Sequence, residues 1–495
     1  MEHFLSSDCC QHIPGFKGQT EHSQPVDFQP DYVYIPAVDN HGVPLGKMVA
    51  AGAEVKVGSA LGERQDFCFP VYSPVSGQVV GLVKKKSTVV GRPVDFIQIK
   101  NDHKGERVYL EPLKANPTKA DVIAKLSEGG IIGLGGAGFP AFIKYNTKTP
   151  IDTILINAAE CEPFITTDYV MGLSSDLKPM LKAIKILLDT CSIEKCLIVS
   201  KEEKQELLDR IQKEVSKFGD RRIATLAIRS VYPAGYERTM ISFALHREYQ
   251  KLPSECGVIV NNLQTMMAIG ALFEKGETVG EKVITVSGAV KKPSNVRVPY
   301  GALIKDVIAF CGGYTLDNVV LLNGGPMCSE YLNDDDIPLL EQVDAITVLK
   351  PNKFKEQPCL RCGACTAHCP VNLQPCEINF AAKRGDYERC FDLSIMDCVS
   401  CGLCSYVCPS HIDVSAGVKQ AKLMVTLKVP RAMRKPAPAK PAAPATPAPA
   451  APIKPEEKSG ALKSGDVCEG PAIKTAMAEQ AESRRIAGQD KKEGK

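Results

Sequence analysis

The chain has 495 residues, of which 44% are hydrophobic and 24% are charged, a composition typical of a globular protein with more than one hydrophobic core. The net charge is +3, and residues 431–495 hold 13 Lys and Arg against eight Asp and Glu, so the rest is slightly acidic and nucleic-acid binding is not expected. The polar first ten residues do not predict a signal peptide, and no run of about 18 apolar residues predicts a transmembrane helix.

The N-terminal part predicts a small β domain. Residues 1–30 are polar and irregular, whereas residues 31–105 alternate short apolar runs with Gly and Pro, as at positions 55–58 and 73–80. This pattern resembles the barrel sandwich of biotinyl and lipoyl carriers, which present a lysine at a hairpin tip. The matching residues 65–69 have no lysine, so a structural role is predicted for this domain.

Residues 115–270 predict an α/β domain. Apolar runs alternate with amphipathic segments, and this order favours a largely parallel sheet with helices on its faces. A capping box at Ser200 and Glu203 predicts the start of a helix. The predicted helices cover residues 121–128 and 203–218, and the predicted strands cover residues 153–158, 196–200 and 223–228.

A glycine-rich loop, Gly-Leu-Gly-Gly-Ala-Gly-Phe-Pro, occupies residues 133–140, directly after the first of these helices. Glycines allow a backbone to approach a phosphate closely. A tight turn without a ligand is the alternative, and Phe139-Pro140 departs from the dinucleotide-binding fingerprint, which continues into a helix.

Residues 271–345 return to short strands and predict a β-grasp module. The clearest predicted strands are residues 283–290 and 318–322, with one helix at residues 302–310. Residues 346–430 predict helices around two cysteine motifs, the last of them at residues 414–427. Between positions 436 and 455, sixteen of twenty residues are Pro or Ala, so residues 431–495 predict an extended, disordered tail.

Two cysteine motifs repeat at an offset of 39 residues. Each reads Cys-x-x-Cys-x-x-Cys-x-x-x-Cys-Pro, the spacing of bacterial ferredoxins with two [4Fe–4S] clusters, in which the fourth cysteine ligates the other cluster. One predicted set is therefore Cys359, Cys362, Cys365 and Cys408, and the other is Cys369, Cys398, Cys401 and Cys404.

Zinc is the alternative metal, because Cys-x-x-Cys pairs also bind it. Zinc sites usually use such pairs, however, so a triplet followed by a fourth cysteine would leave some cysteines without a metal. Cys376 and Cys390 lie between the motifs at spacings that fit neither cluster, so packing roles are predicted for them. Because the chain is large and eight of its twenty cysteines fall in the motifs, reduced thiols in a cytoplasmic setting are expected rather than disulfides.

Four segments in order resemble the NADH-oxidising FMN subunit of respiratory complex I. They are the glycine-rich loop with Lys144 and residues 157–163, 232–238 and 260–265. With the barrel sandwich, the β-grasp module and two ferredoxin motifs, residues 30–430 resemble the C subunit of the Rnf complex, an ion-translocating NADH:ferredoxin oxidoreductase.

The resemblance implies an FMN site that reacts with NADH. Complex I has an Asp where this chain has Ala159, so one polar contact to the flavin is missing by this comparison. The residues implied on the phosphate side of FMN are Gly133, Gly135, Gly136, Gly138 and Lys144. The residues implied around the rest of the flavin are Asn157, Glu160, Asn261, Asn262 and Thr265. The residues implied to contact NADH are Phe139, Glu162 and Tyr232.

The implied function is that of an NADH-linked oxidoreductase subunit of an ion-translocating complex, peripheral to the cytoplasmic side of the cell membrane. Electrons would pass from NADH through FMN and the two clusters to partner subunits, and indirectly to or from ferredoxin. No acid or base is assigned, because hydride transfer needs none. Two alternatives remain: a soluble flavin and iron–sulfur reductase that serves cobalamin or amino-acid reductases, and an electron-transfer adaptor without flavin.

Overall fold

The computed structural model describes residues 10–136, 138–329 and 331–428. The predicted disordered tail, residues 431–495, lies outside these ranges, as does the start of the N-terminal segment with Cys9. Within the described ranges, no helix is both long and apolar enough to cross a bilayer.

The barrel-sandwich region consists of two antiparallel sheets. The larger sheet has the order β2-β7-β6-β3, and the smaller pairs β4 with β5. Alternate residues of these strands, such as Val33, Ile35, Ile97 and Ile99, are fully buried between the layers, as period-2 patterning requires. The strands are β1 (Val26–Asp27), β2 (Tyr32–Pro36), β3 (Glu54–Val55), β4 (Ala60–Glu63), β5 (Pro70–Tyr72), β6 (Gly77–Lys86) and β7 (Pro93–Asn101).

The central region is a four-stranded, fully parallel sheet of order β10-β9-β8-β11, covered by helices. The strand predicted at Ile223–Ile228 is confirmed. The strands are β8 (Thr153–Asn157), β9 (Lys195–Lys201), β10 (Ile223–Ile228) and β11 (Val258–Asn262), and the helices are α1 (Lys119–Glu128), α2 (Ala141–Tyr145), α3 (Thr167–Ser174), α4 (Lys178–Cys191), α5 (Gln205–Phe218), α6 (Glu237–Leu245) and α7 (Leu263–Lys275), with a 3₁₀ helix at Pro253–Cys256.

The predicted capping box is wrong. Helix α5 begins at Gln205 rather than at residue 203, and its N-cap residue, Lys204, has no side-chain capping bond. The Ser200 hydroxyl instead donates to the Ala158 carbonyl at 3.1 Å, because Ser200 is still inside strand β9. The tertiary contact between neighbouring strands therefore overrides the local capping pattern.

The third region is a six-stranded mixed sheet of order β1-β13-β12-β16-β14-β15 with one helix. Its edge strand β1 comes from the N-terminal segment and pairs in parallel with β13. The segment before β1 also crosses the central region, where Gln11 and Tyr232 exchange backbone hydrogen bonds of 3.0 and 2.7 Å. The elements are β12 (Glu281–Gly288), β13 (Ser294–Pro299), α8 (Ile304–Phe310), β14 (Val320–Leu322), β15 (Tyr331–Leu332) and β16 (Ala345–Leu349), with a 3₁₀ helix at Lys17–Gln19.

The cysteine motifs lie in a small helical region whose two halves repeat. The core between the halves contains Ile378, Val418 and Val425, all nearly inaccessible to solvent. The helices are α9 (Ala364–Ala367), α10 (Pro375–Lys383), α11 (Tyr387–Asp392), α12 (Leu403–Tyr406) and α13 (Val414–Lys428), with a 3₁₀ helix at Ile395–Asp397.

Candidate functional site

The main cavity, of about 660 Å³, lies where the central sheet, the third sheet and the barrel sandwich meet. Its volume falls within the roughly 300–1,000 Å³ that ligand sites have. Eight residues implied by the complex I resemblance line it, namely Gly133, Gly135, Gly136, Phe139, Lys144, Asn157, Glu162 and Asn262.

The parallel sheet explains why these residues meet. Strands β8 and β11 end at Asn157 and Asn262, which are paired in register. The carboxyl ends of parallel strands share one edge of the sheet, which is where ligands bind in open α/β folds. The Asn262 side chain caps helix α7 by accepting from the Gln264 N–H at 2.9 Å, and the Asn157 amide donates to the Gly235 carbonyl at 2.8 Å.

The glycine-rich loop rests directly on this edge. A Cβ at Gly135 would lie 2.8 Å from three atoms of the Asn262 side chain, so a larger residue would displace the loop. The Leu134 N–H donates to the Thr265 hydroxyl at 3.0 Å, and the Lys282 ammonium donates to the Leu134 carbonyl at 2.6 Å. Thr265 therefore holds the glycine-rich loop in place through the Leu134 backbone and does not itself line the cavity.

Five implied residues do not line the cavity. Thr265 holds the loop, and Gly138 is part of the loop with a φ of 60°. The Asn261 amide donates to the Tyr145 hydroxyl at 2.6 Å. Glu160 accepts from the Thr167 hydroxyl and the Asp168 N–H, both at 2.9 Å, at the start of helix α3. The fifth residue, Tyr232, lies one layer behind the cavity.

A buried group of charges lies beneath the site. The Lys17 ammonium, from the N-terminal segment, donates to the Glu160 carbonyl at 3.0 Å and lies 3.7 Å from its carboxylate. Burial, and next the nearby Glu160 carboxylate, raises the pKa of Asp168 well above its ordinary value. The Asn262 amide donates to Asp168 at 2.6 Å, so this group supports the cavity edge from below.

Lys144 brings positive charge to the cavity. It lies on the short helix α2 and its ammonium donates to the Val260 carbonyl at 2.8 Å. Burial lowers the pKa of Lys144, and Glu237, which also lines the cavity, opposes the shift. A partly desolvated ammonium that faces a cavity favours an anionic ligand.

A chain of hydrogen bonds joins the cavity to the cysteine region. Glu162 accepts from the Tyr232 and Tyr236 hydroxyls and from the Met327 N–H, each at 3.1 Å. Burial raises the pKa of Glu162, and these bonds oppose the rise. The shortest contact of the Tyr232 hydroxyl is with the Cys401 carbonyl, at 2.6 Å.

The cysteines form two groups across the repeat. Cys359, Cys362, Cys365 and Cys408 line one cavity of about 390 Å³, together with Cys376. Cys369, Cys398, Cys401 and Cys404 line a second, smaller cavity of about 30 Å³. In each group, three cysteines of one motif meet the fourth cysteine of the other motif.

The two motif loops have the same backbone geometry. Arg361 and Ser400, 39 residues apart, have φ values of 54° and 58°, and their N–H groups point to the sulfurs of Cys359 and Cys398 at 3.4 and 3.3 Å. N–H groups aimed at cysteine sulfurs are typical of iron–sulfur sites. Across residues 10–136, 138–329 and 331–428, no three His, Cys, Asp or Glu side chains converge as a single-ion site.

Several cavity residues were not predicted from the sequence. Tyr236 and Glu237 belong to the segment 232–238 that resembles complex I, so that match could have identified them. Most of the others reach the cavity through tertiary structure, from the third sheet and the barrel sandwich. They include Thr88, Val89, Asn323, Gly324, Gly325, Cys328, Gln342 and Asp344.

Three protein families match successive parts of the chain. Residues 11–104 match the RnfC barrel sandwich hybrid domain, residues 126–271 the Nuo51 FMN-binding domain, and residues 283–330 the SLBB domain.

Curated relatives match most of the chain. The C subunit of the proton-translocating ferredoxin:NAD(+) oxidoreductase complex of Clostridium ljungdahlii is 30% identical over 380 residues, which cover 74% of this chain and 82% of the relative. The C subunit of the Na(+)-translocating ferredoxin:NAD(+) oxidoreductase complex of Acetobacterium woodii is 29% identical, over 78% of this chain and 89% of the relative. The C subunit of the ion-translocating oxidoreductase complex of Rhodobacter capsulatus is 29% identical, over 66% of this chain and 64% of the relative.

Proposed function

Because the chain belongs to the family of C subunits of ion-translocating ferredoxin:NAD(+) oxidoreductase complexes, we propose that it oxidises NADH at the main cavity and passes the electrons through its two cysteine groups to a partner subunit. In the opposite direction the same sites would reduce NAD. The chain supplies the redox sites, whereas ion transport belongs to other subunits of the complex.

The residues of the main cavity fit FMN. When bound, FMN exchanges a hydride with NADH and single electrons with iron–sulfur clusters. Lys144 would bind the anionic end of the ligand, and the glycine-rich loop leaves room for it because a Cβ at Gly136 would meet no atom within 4 Å. Asn157 and Asn262 line the cavity at the strand ends, where their amides are held by bonds to Gly235 and Asp168.

The alanine at position 159 does not argue against FMN. Ala159 is 2% exposed and packs in an apolar cluster with Leu155 and Val199. It is not among the residues that line the cavity. A carboxylate at this position would be buried among hydrocarbon side chains, so the alanine removes no polar group from the cavity wall of this chain.

The two cysteine groups fit [4Fe–4S] clusters. Thiolates are soft ligands that suit iron–sulfur clusters, and the N–H groups of Arg361 and Ser400 would donate to cluster-bound sulfur. Four cysteines from both motifs in each group match the crossed ligation of two-cluster ferredoxins.

One observation carries the proposal: the Tyr232 hydroxyl touches both Glu162, which lines the cavity, and the backbone of Cys401. The group of Cys369, Cys398, Cys401 and Cys404 is therefore the one adjacent to the cavity, and we assign it as the first electron acceptor. The group of Cys359, Cys362, Cys365 and Cys408 includes the exposed Cys362 and is assigned as the exit toward the partner.

The decisive experiment is anaerobic reduction of the purified chain by NADH. We expect about one FMN and about eight irons per chain, bleaching of the flavin absorbance, and EPR signals from two reduced clusters. Zinc in place of iron would contradict the cluster assignment, and absence of acid-released flavin would favour the adaptor. Recovery of the chain in washed membranes with its partner subunits would support a subunit of a membrane complex over a soluble reductase.

Replacing Tyr232 with phenylalanine is expected to lower the reduction potential of the cluster next to the cavity, because a hydrogen bond to the Cys401 carbonyl is lost. A neutral hydrogen bond contributes about 0.5–1.5 kcal/mol, and only the part that differs between the oxidised and the reduced cluster shifts the potential, so the expected decrease is at most roughly 60 mV for a one-electron couple. Redox titration followed by EPR measures the shift. Tyr236→Phe is the matched control, since the Tyr236 hydroxyl bonds Glu162 and the Tyr232 hydroxyl, whereas only Tyr232 of the two tyrosines bonds the Cys401 carbonyl. Equal potentials in Tyr232→Phe and wild type would contradict the assignment.

A further inference from the structure

The N-terminal segment connects the central region with the cysteine region through Gln11. On the central side, Gln11 and Tyr232 exchange backbone hydrogen bonds of 3.0 and 2.7 Å. On the other side, the Gln11 amide donates to the Nε2 of His368 at 3.0 Å. His368 can accept there because its Nδ1 lies 3.0 Å from the Ala364 carbonyl, so that Nδ1 carries the proton. Gln11 therefore joins the two regions.

Both partners of this glutamine lead to the same group of cysteines. The Tyr232 hydroxyl donates to the Cys401 carbonyl at 2.6 Å, and His368 directly precedes Cys369. Cys369 and Cys401 are buried and belong to the group adjacent to the main cavity, whereas the group assigned as the exit includes the exposed Cys362. The N-terminal segment is thus attached at two places beside the more buried group.

Apolar side chains of the segment extend this contact. Ile13 and Phe16 pack against the apolar cluster that contains Cys401. The Phe16 ring stacks on that of Phe164, with ring centres 5.4 Å apart, and the Phe164 N–H donates to the Gly15 carbonyl at 2.7 Å. The segment therefore covers the surroundings of Cys401 with side chains that exclude water.

Lys17 fixes the far end of this stretch. Its buried ammonium donates to the Glu160 carbonyl at 3.0 Å and also to the Ile165 carbonyl. Residues 10–17, here called the strap, are thus held at one end by Lys17 and at the other by Gln11. Detachment of the strap from the cysteine region requires the Gln11 bonds to break, whereas Lys17 can stay in place.

We propose that the strap closes the site of the cluster adjacent to the main cavity, and that Gln11 is the positioning residue that holds the strap against this site. This inference rests on the proposed function. A closed site matters here because the first electron acceptor would otherwise lose electrons to dissolved oxidants before they reach the exit cluster. The strap thereby favours transfer along the chain over side reactions with solvent.

The test measures how fast bathophenanthroline disulfonate, a water-soluble chelator of ferrous iron, removes each cluster from the anaerobic, dithionite-reduced chain. Cluster loss is followed by EPR, and the two signals are assigned with Cys369→Ala and Cys408→Ala, each of which is expected to lack one cluster. In the wild type, the signal of the cluster adjacent to the cavity should decay more slowly than that of the exit cluster.

Gln11→Met keeps the length of the side chain and the backbone bonds but removes the amide. The cluster adjacent to the cavity is then expected to decay roughly 3- to 10-fold faster, the value of one hydrogen bond, because the chelator reaches it through the opened strap. Hydrogen exchange of the strap amides should accelerate by the same factor. Decay of the exit cluster, FMN content and the rate of flavin reduction by NADH are expected to stay at wild-type values.

Two further variants test whether this bond is responsible. His368→Leu removes the same bond from the other side, so it should accelerate decay equally, and the double variant Gln11→Met/His368→Leu should go no further. Gln19→Met is the matched control. The Gln19 side chain accepts from the Gly288 N–H at 2.9 Å, in the third sheet rather than in the cysteine region, so both clusters should decay as in the wild type.

An unchanged decay rate of the cavity-adjacent cluster in Gln11→Met would overturn the inference alone. So would equal acceleration of both clusters, because the variant would then loosen the cysteine region as a whole. A wild-type chain that contains zinc or no iron would overturn the proposed function and this inference with it.

Discussion

Replacing Cys408 with alanine is expected to remove the cluster proposed at Cys359, Cys362 and Cys365, even though Cys408 belongs to the second motif. The reason is its position, since Cys408 lines the cavity of the first motif's triplet and not that of its own. Iron should fall from about eight to about four atoms per chain, because each cluster needs its fourth thiolate. Iron analysis and EPR of the reduced, anaerobic protein measure the loss.

The reciprocal variant makes this test specific. Cys369→Ala is expected to remove the other cluster, the one adjacent to Tyr232, and to leave the cluster of Cys359 in place. Because the two variants lose different clusters, their remaining EPR signals should differ from each other. Loss of the cluster of a variant's own motif would contradict the crossed arrangement.

Two cysteines outside the motifs serve as controls. Cys68 is exposed in the barrel sandwich, so Cys68→Ala should retain all the iron. Cys376 lines the first cysteine cavity with its sulfur 3.6 Å from that of Cys359, although its spacing fits no cluster pattern. Cys376→Ala is expected to keep about eight irons as well, since four motif cysteines already complete that site.

The repeat of the two cysteine motifs predicts equivalent local backbone geometry, and the structure has it. Their spacing depends on local backbone geometry, so Arg361 and Ser400 take up nearly the same φ values at equivalent positions, 39 residues apart. The strand and helix order of residues 115–270 was equally informative. Alternating β and α segments have few ways to pack, and a parallel sheet with its site at the carboxyl edge is the usual result.

The direction of individual side chains was harder to predict. Glu160 and Glu162 are two residues apart and both were implied in ligand contacts. In the structure Glu162 faces the cavity, whereas Glu160 accepts the free N–H of Asp168 at the start of helix α3. A carboxylate at a helix N-terminus is stabilised by unpaired N–H groups, and the sequence does not say which acid takes that place.

The cavity residues that come from other parts of the chain could not be predicted from the sequence, for a different reason. Thr88, Gly325 and Gln342 line the cavity but lie far from the central domain in sequence, and none belongs to a ligand motif. A Cβ at Gly325 would lie 2.3 Å from the Glu162 carboxylate, which shows how closely the third sheet approaches the site. Such contacts are specified by domain packing rather than by local patterns.

The N-terminal segment gives a second example of this kind. Its polar, irregular sequence predicted no role, yet Lys17 is buried against Glu160, and Phe16 stacks on Phe164 with ring centres 5.4 Å apart. Its β1 strand also extends the third sheet. The segment therefore joins two regions of the protein directly below the main cavity, and it is part of the support for the site.

Replacing Lys144 with methionine is expected to weaken FMN binding by roughly 10- to 100-fold, the value of a charge-assisted hydrogen bond of about 1.5–3 kcal/mol. Methionine has a similar length and fills the same space without the charge. The fold should be retained, because the ammonium's bond is to a single backbone carbonyl, that of Val260. Fluorescence titration of the flavin-free chain with FMN measures the affinity. Lys148→Met, an exposed lysine four residues further on, is the matched control and should bind FMN as wild type does.

The pH dependence of this variant separates a role for the charge from a role in packing. Burial lowers the pKa of Lys144 below its ordinary value of 10.5. Between the lowered pKa of the folded chain and the ordinary pKa of the unfolded chain, the unfolded chain holds a proton that the folded, flavin-free chain has lost, so the free energy of unfolding should rise with pH across that window. Over the same window FMN binding should weaken, because the neutral amine no longer attracts an anion. Lys144→Met should lack both trends, which urea unfolding and FMN titration at several pH values would detect. Equal pH profiles of FMN affinity in wild type and variant would show that Lys144 does not bind the anionic part of the ligand.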